Sequence, residues 1–226
     1  MTDANVRAVP DWWGSVRSIP AGGWVLLLVL HLVVIVLVDT LFLAGSFTAV
    51  LLLGALVAAG AWYAGLRVLH ARHGAVPDLR RLPLLWAWLV LLDITGLLNL
   101  RFDADVLVPG YLPAVASLAD LALRYVFALL PMVVLLDGRG PLRAVRLLHR
   151  SWRTVVPVAL VVVLGFLSEQ VVQLVLVTAT TGYQRPDGFV ALMVGNLVFS
   201  TLRAVLTTAV LYTTYRLATA DEPLPA

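Results

Sequence analysis

The sequence predicts an all-α, polytopic membrane protein, and three observations support this fold class. Hydrophobic residues make up 61% of the 226 residues, charged residues make up 13%, and the mean hydropathy is +0.96. A soluble chain of this length cannot bury so much apolar surface in one core. Six apolar stretches are long enough to cross a bilayer, and the basic residues fall mainly in alternate gaps between them. We therefore predict a bundle of six transmembrane helices.

A span needs about 20 apolar residues to cross a hydrocarbon core roughly 30 Å thick. The six stretches run from 18 to 29 residues. The first two are separated only by Ala44, Gly45 and Ser46, which favours a helical hairpin over one helix much longer than the bilayer is thick. Pro113 and Pro131 in the fourth stretch and Pro157 in the fifth predict kinks. The predicted spans are 24–43, 47–69, 83–100, 111–136, 154–180 and 189–217.

The positions of the arginines predict the direction of the spans. All 16 basic residues are arginines, and the gaps on one side of the predicted bundle hold only Arg101 and Arg185. Most of the others precede the first span, separate spans two and three or spans four and five, or close span six. By the positive-inside rule, both termini are cytoplasmic. The chain then divides into a cytoplasmic segment (1–23), a transmembrane domain (24–217) and a cytoplasmic tail (218–226).

The connection between spans four and five predicts a cytoplasmic interfacial helix over residues 141–153. Gly138 and Gly140 favour a turn, and Pro141 suits a first helical position. The predicted helix is amphipathic and lies on the inner leaflet. Its basic face comprises Arg143, Arg146, Arg150 and Arg153, and its apolar face Leu142, Val145, Leu148 and Trp152. Two roles remain open, a membrane-associated linker and a docking site for a cytoplasmic partner.

Apart from Arg67 and Arg216 near the span ends, seven ionisable residues fall within the predicted spans, so we expect their side chains to face the interior of the bundle and to be paired. A charged side chain at mid-membrane costs about 2.5–3.5 kcal/mol on insertion scales. Asp120 and Arg124 are one helical turn apart and are expected to form an ion pair. Span six carries a polar stripe that includes Arg203. Glu169 of span five is the expected counter-ion for Arg203 or Arg124. The predicted buried polar network is Asp120, Arg124, Glu169, Gln173, Asn196 and Arg203.

Two interpretations of this network follow. In the first, which the near balance of charges favours, the residues neutralise each other and hold spans four to six together. In the second, they line a solvated cavity that binds a polar headgroup, an ion or a proton.

The remaining charged positions in the spans are weaker signals. Asp39 and Asp93 lie toward the outer ends of their predicted helices, where a carboxylate can reach interfacial water. His31 is an isolated histidine, and the chain has neither cysteine nor an HExxH motif. We therefore predict no metal and no other cofactor.

Small residues along span two predict close helix packing. Gly54, Ala58, Ala61 and Gly65 recur on one face, so another helix can approach closely.

The segment from Arg124 to Trp152, RYVFALLPMVVLLDGRGPLRAVRLLHRSW, resembles the membrane domain of some bacterial glycerophosphoryl diester phosphodiesterases and of stand-alone relatives. The resemblance covers about residues 117–218, and Thr214 stands where the family's closing pattern has an acidic residue. The matching positions are Pro131, Asp137, Gly138, Gly140, Ala144, Arg150, Ser151, Trp152, Leu211, Tyr212 and Arg216. That membrane domain is not the catalytic part of the family, so the resemblance implies a bacterial membrane module and transfers no phosphodiesterase residue.

These features favour a non-enzymatic protein of the bacterial inner membrane that acts as an anchor, scaffold or accessory subunit. No nucleotide-binding or nucleophile motif lies in the short cytoplasmic gaps. The expected partners are membrane lipids and a cytoplasmic or membrane protein, and the dispersed arginines exclude nucleic acid. The alternative is a transporter or a permease subunit of an ABC-type exporter with a separate ATPase, in which residues 12–19 form an entry helix. An intramembrane lipid-processing enzyme is a third, weaker hypothesis.

Overall fold

The structure is a computed structural model that describes residues 12–17, 19–43, 47–70, 76–104, 111–182 and 186–220. Over these ranges the chain is helical and contains no strand, so the all-α prediction is confirmed for this part of the protein. The α-helices are α1 (Trp12–Arg17), α2 (Ala21–Leu43), α3 (Phe47–His70), α4 (Leu82–Ala104), α5 (Tyr111–Val126), α6 (Leu130–Met132), α7 (Pro141–Leu148), α8 (Trp152–Gly182) and α9 (Pro186–Ala220). A 3-10 turn, Leu79–Arg81, precedes α4, and a π-helical turn, Val133–Asp137, follows α6.

Several of the described helical segments are long and apolar enough to cross a membrane. Three qualify directly, namely Leu51–Leu69, Ser117–Asp137 and Val194–Ala220. A fourth qualifies if α7 and the first part of α8, Trp152–Ser168, count as one broken span, although the two meet at 108°. The described residues therefore provide three or four candidate membrane spans.

The six longest described helices pack side by side in a ring. Along the chain α2 contacts α3, α3 contacts α4, and α4 contacts α5, while α5 contacts α8, α8 contacts α9, and α9 returns to α2. Helix α9 also contacts α3 across the ring, as well as the short helices α1, α6 and α7. This arrangement places the polar residues of α5, α8 and α9 in neighbouring walls of one bundle.

The outer surface of this ring is apolar. Val29 of α2 is 52% exposed, and Leu164 of α8 is 62% exposed. Leu160, Leu164, Leu167 and Val171 recur at three- and four-residue spacing, so they form one exposed stripe along α8. Exposed rows of large aliphatic side chains are typical of helices that face lipid.

The fourth predicted span is interrupted near Pro131, as its sequence predicts. Helix α5 ends at Val126, a turn covers residues 127–129, and α6 begins at Leu130 with Pro131 in its first turn. Proline lacks the backbone N–H that a continuous helix requires there. The π-helical turn then ends at Gly138, whose φ of +68° is left-handed and suits glycine.

The prediction of one helix over residues 141–153 is wrong. Helix α7 ends at Leu148, and α8 begins at Trp152 with a sharp change of direction. The Thr154 hydroxyl donates to the carbonyl oxygens of Leu148 at 2.7 Å and Ser151 at 2.6 Å, and the Ser151 hydroxyl accepts from the Arg153 N–H at 3.2 Å. These side-chain bonds replace helical backbone bonds and begin the second helix. The four arginines of the predicted basic face therefore lie on two helices and the turn between them.

The apolar face predicted for this helix also requires correction. Of Leu142, Val145, Leu148 and Trp152, only Leu148 is fully buried, whereas Leu142 is 73% exposed and Trp152 is 72% exposed. The buried face of α7 consists of Ala144, Leu147 and Leu148, which belong to the main apolar core. Helix α7 therefore packs against the bundle through this face, because small and aliphatic side chains fit against α8 and α9.

The end of the π-helical turn ties several segments together through Asp137. Its carboxylate accepts a hydrogen bond from the Tyr215 hydroxyl of α9 and one from Arg143 Nε of α7 at 2.9 Å. Arg81 Nη1 donates to the Leu136 carbonyl oxygen at 2.8 Å, which fastens the start of α4 to the same turn. The Asp137 carboxylate thus joins the π-helical turn to both α7 and α9.

Candidate functional site: a cavity inside the helix ring

A cavity of about 430 Å³ lies inside the ring of helices. Side chains of α2, α3, α4, α5, α6, α8 and α9 all line it, and most of them are apolar. Its volume falls within the range of about 300–1,000 Å³ that is typical of small-molecule sites. The cavity is therefore large enough to hold an organic ligand or part of a lipid.

The small-residue face of α3 forms one wall of this cavity. Ala58, Ala61 and Gly65 all line it. A Cβ atom built on Gly65 would lie 3.4 Å from Cγ2 of Thr208, an ordinary van der Waals distance, so α3 and α9 lie close together at this point. The small side chains thus serve two purposes, close packing at Gly65 and open space beside Ala58 and Ala61.

Two arginines bring positive charge to the cavity. Arg124 of α5 and Arg203 of α9 both line it. Arg124 Nε lies 2.8 Å from Oδ2 of Asp120, one helical turn earlier, which is the ion pair that their spacing predicts. The Asp120 side chain is 13% exposed, whereas that of Arg124 is 50% exposed. The pair therefore positions the Arg124 guanidinium while much of that side chain stays accessible.

Helix α8 holds Arg203 through uncharged oxygen atoms. Arg203 Nη1 donates to the Gly165 carbonyl oxygen and to the Ser168 hydroxyl, each at 3.3 Å. The Ser168 hydroxyl donates in turn to the same Gly165 carbonyl at 2.7 Å. Glycine has no side chain to shield its carbonyl, so the guanidinium reaches the backbone of α8 directly. These bonds fix the direction of Arg203 on the cavity wall.

Four of the six residues of the predicted network have side chains that the structure describes. Asp120, Arg124 and Arg203 lie at or beside the cavity, as described above. Asn196 accepts a hydrogen bond from the Ser200 hydroxyl at 3.2 Å, so the polar stripe of α9 continues beyond Arg203. The side chains of Glu169 and Gln173 lie outside the described residues, and so does that of Asp39.

Sequence reasoning missed the contribution of His31 and Asp93. Both line the same cavity as Arg124 and Arg203, so two weak single-span signals become part of one four-residue polar set. The His31 Nδ1 atom lies 2.8 Å from the Leu27 carbonyl oxygen, which orients the ring from within its own helix. What brings His31 and Asp93 together is that α2 and α4 both pack against α3, whose small residues line the same cavity.

This lining can bind an amphipathic anion. The apolar walls fit hydrocarbon, the two guanidinium groups fit a phosphate or carboxylate, and Asp93 with His31 can accept or donate further hydrogen bonds. Among the described residues, no group of three or more histidine or carboxylate side chains could hold a metal ion.

Comparison with known proteins leaves the function to be inferred from this geometry. No family model, no curated protein and no solved structure matches the chain.

Proposed function

We propose that this protein is a non-enzymatic, six-span protein of the bacterial inner membrane that holds an anionic amphiphile, such as a phospholipid or fatty acid, in its central cavity. In this proposal it acts as a lipid-binding scaffold or accessory subunit. The observation that carries the proposal is the presence of Arg124 and Arg203 on the wall of an otherwise mainly apolar cavity. Charged side chains inside a membrane bundle are expensive and commonly mark a ligand site.

The ring of six long helices supports the six-span topology. Each predicted span corresponds to one helix of the ring, namely α2, α3, α4, α5, α8 and α9. The exposed aliphatic stripe of α8 is suited to lipid contact, and the arginine distribution favours cytoplasmic termini. The short α7 then lies at the cytoplasmic end, beside the junction at Asp137.

The absence of cysteine from the sequence permits a direct test of this topology. Single-cysteine variants Val76→Cys and Gly110→Cys fall in gaps that the proposal assigns to opposite sides of the membrane. In intact spheroplasts, a membrane-impermeant maleimide is expected to label only Gly110→Cys. After permeabilisation, it is expected to label Val76→Cys as well, because Val76 is 70% exposed in the folded protein. Labelling of Val76→Cys from outside would contradict the proposed orientation.

Replacing Arg203 with glutamine is expected to weaken retention of the anionic amphiphile. A charge-assisted hydrogen bond contributes about 1.5–3 kcal/mol, so retention is expected to fall on the order of tenfold or more. Phospholipids and fatty acids that remain bound after purification in mild detergent can be measured by native mass spectrometry. The Arg203→Lys variant keeps the positive charge and is expected to retain more of the ligand than Arg203→Gln.

The matched control is Arg67→Gln, which removes one exposed arginine from α3 outside the cavity lining. Circular dichroism and thermal unfolding establish whether each variant is folded. A folded Arg203→Gln protein that retains the same anionic lipids as the control would refute the cavity proposal. Unfolding of both Arg203 variants would instead favour the interpretation that the arginine is structural.

Transport is the second candidate function, and the interruption of the helical wall at residues 127–137 favours it. Breaks and π-helical turns are common where membrane helices move or bind ligands. Here Pro131 lines the cavity at the start of that interruption. Vesicles that translocate a fluorescent anionic phospholipid only when a partner ATPase and nucleotide are present would favour a permease subunit, whereas binding without translocation would favour the scaffold.

A further inference from the structure

A second, separate groove lies at the end of the bundle, between α7 and Trp88 of α4. Its volume is about 800 Å³, and it differs from the central cavity because four of its nine lining residues are arginines. The residues that matter for its chemistry are Trp88, Arg139, Leu142, Arg143, Arg146 and Arg150. None of these residues lines the central cavity.

The fold holds two of these four arginines in place. Arg143 Nε contacts Oδ2 of Asp137 at 2.9 Å, and Arg150 Nη1 donates to the Ala218 carbonyl oxygen at 3.4 Å. In the described part of the chain, the Asp137 carboxylate pairs with Arg143, one of the four arginines that line the groove. The described lining therefore has more arginines than carboxylates, and its inner arginines are oriented before any ligand arrives.

The other two arginines extend from the protein. Arg139 and Arg146 are exposed, and within the described part of the chain their guanidinium groups make no ion pair or hydrogen bond. Arginine forms bidentate bonds with phosphate, and several guanidinium groups around one groove fit an oxygen-rich dianion or a phosphodiester. The charge pattern therefore selects a phosphate-bearing partner.

Apolar side chains beside the arginines indicate which phosphate compound fits. Leu142 is 73% exposed at the groove, and the Trp88 ring forms part of its wall. Trp152, 72% exposed, lies at the start of α8 just beyond Arg150. Tryptophan is enriched at the level of lipid headgroups, where one side of its ring contacts acyl chains. An exposed leucine next to arginine suits a molecule with both a phosphate and a hydrocarbon chain.

We propose that this groove binds the headgroup of an anionic phospholipid of the cytoplasmic leaflet, with the phosphate between Arg139, Arg146 and the two fixed arginines. The acyl chains then run past Leu142 toward the bundle. This inference rests on the proposed topology, which places α7 at the cytoplasmic surface, and it does not depend on a ligand in the central cavity. Basic pockets at this depth are suited to lipid headgroups.

The test uses the full chain in nanodiscs of phosphatidylcholine with or without phosphatidylglycerol. After transfer to mild detergent, phosphatidylglycerol that remains bound is measured by native mass spectrometry. The Arg139→Gln/Arg146→Gln variant is expected to retain roughly 25-fold less phosphatidylglycerol at the groove, because each arginine near a lipid surface contributes roughly fivefold. The control Arg67→Gln/Arg80→Gln removes the same charge from exposed positions outside the groove and is expected to retain the wild-type amount.

Further arms of the experiment separate the possible ligands and the two sites. Inorganic phosphate or an acidic peptide that displaces phosphatidylglycerol as effectively as a short-chain phosphatidylglycerol would overturn the lipid assignment. Equal retention by the groove variant and its control would also overturn it. The Arg203→Gln variant is expected to keep the groove lipid, so loss of the cavity ligand alone leaves this proposal intact. Labelling of Val76→Cys from outside would contradict the proposed topology, and with it the assignment of the groove to the inner leaflet.

Discussion

Replacing Asp137 with alanine is expected to destabilise the folded protein by about 2–3 kcal/mol. The change removes the acceptor of two hydrogen bonds, from Tyr215 and Arg143, and leaves the Arg143 cation without its counter-ion. Breaking a fully buried ion pair can cost about 3–5 kcal/mol. We expect less here because the side chains of Arg143 and Asp137 are 19% and 22% exposed, so water partly solvates the remaining charge. Unfolding of the full chain in detergent, followed by circular dichroism, measures the loss.

Asp78 provides a matched control for this prediction. It also forms an ion pair with an arginine, Arg81, but the two side chains are 42% and 32% exposed, and its other oxygen accepts from the Arg80 backbone N–H. The Asp78→Ala change is expected to cost about 1 kcal/mol or less, because exposed pairs and single helix caps contribute little. Equal destabilisation by the two alanine variants would contradict a central role for the Asp137 junction.

Replacing Leu135 with alanine is expected to destabilise the protein by about 2–5 kcal/mol. Leu135 is fully buried in the π-helical turn, among the residues of the main apolar core. Truncation to alanine removes contacts and leaves a void that the surrounding helices can fill only in part. The same measurement of unfolding in detergent gives the cost.

The Leu164→Ala variant is the control for this effect, because it makes the same chemical change at a position that is 62% exposed. If Leu164 faces lipid or detergent, its side chain is surrounded by hydrocarbon in both the folded and the separated helices, so the change is expected to cost less than about 1 kcal/mol. A cost for Leu164→Ala that equals that of Leu135→Ala would show that this stripe of α8 is packed against protein.

The proposed functions assign different roles to two groups of arginines. Arg124 and Arg203 line the central cavity, whose mainly apolar walls strengthen their attraction for an anion, more so for Arg203 because half of the Arg124 side chain is exposed. Arg139 and Arg146 lie at the end of the bundle, where their attraction for lipid is expected to weaken with salt. Salt therefore distinguishes the two sites, because retention at the groove is expected to fall with ionic strength more steeply than retention in the cavity.

The sequence predicts much of the architecture because a membrane imposes simple requirements on it. Long apolar stretches must form helices, since backbone groups in hydrocarbon have no water with which to form hydrogen bonds. The ion pair of Asp120 and Arg124 follows from helical spacing alone, and the break near Pro131 follows from the missing N–H of proline. Local patterns of this kind depend on a few neighbouring residues.

The predicted helix over 141–153 shows where local patterns are insufficient. Arginine spacing of three or four residues favours one helix, but the side-chain bonds of Ser151 and Thr154 end it and begin another. Periodicity predicts which residues share a face only if the helix is continuous through all of them. The short polar side chains at the turn decide whether that condition is met.

The sequence by itself determined the helical class, the candidate spans, the asymmetry of the arginines and the charged residues that need partners. Tertiary structure alone decided that His31, Asp93, Arg124 and Arg203 surround one cavity, and that Asp137 joins α7 to α9. The physical reason is that hydropathy and spacing specify the depth and face of a residue within one helix. Which faces meet depends on how side chains of different helices fit together, as Gly65 does against Thr208.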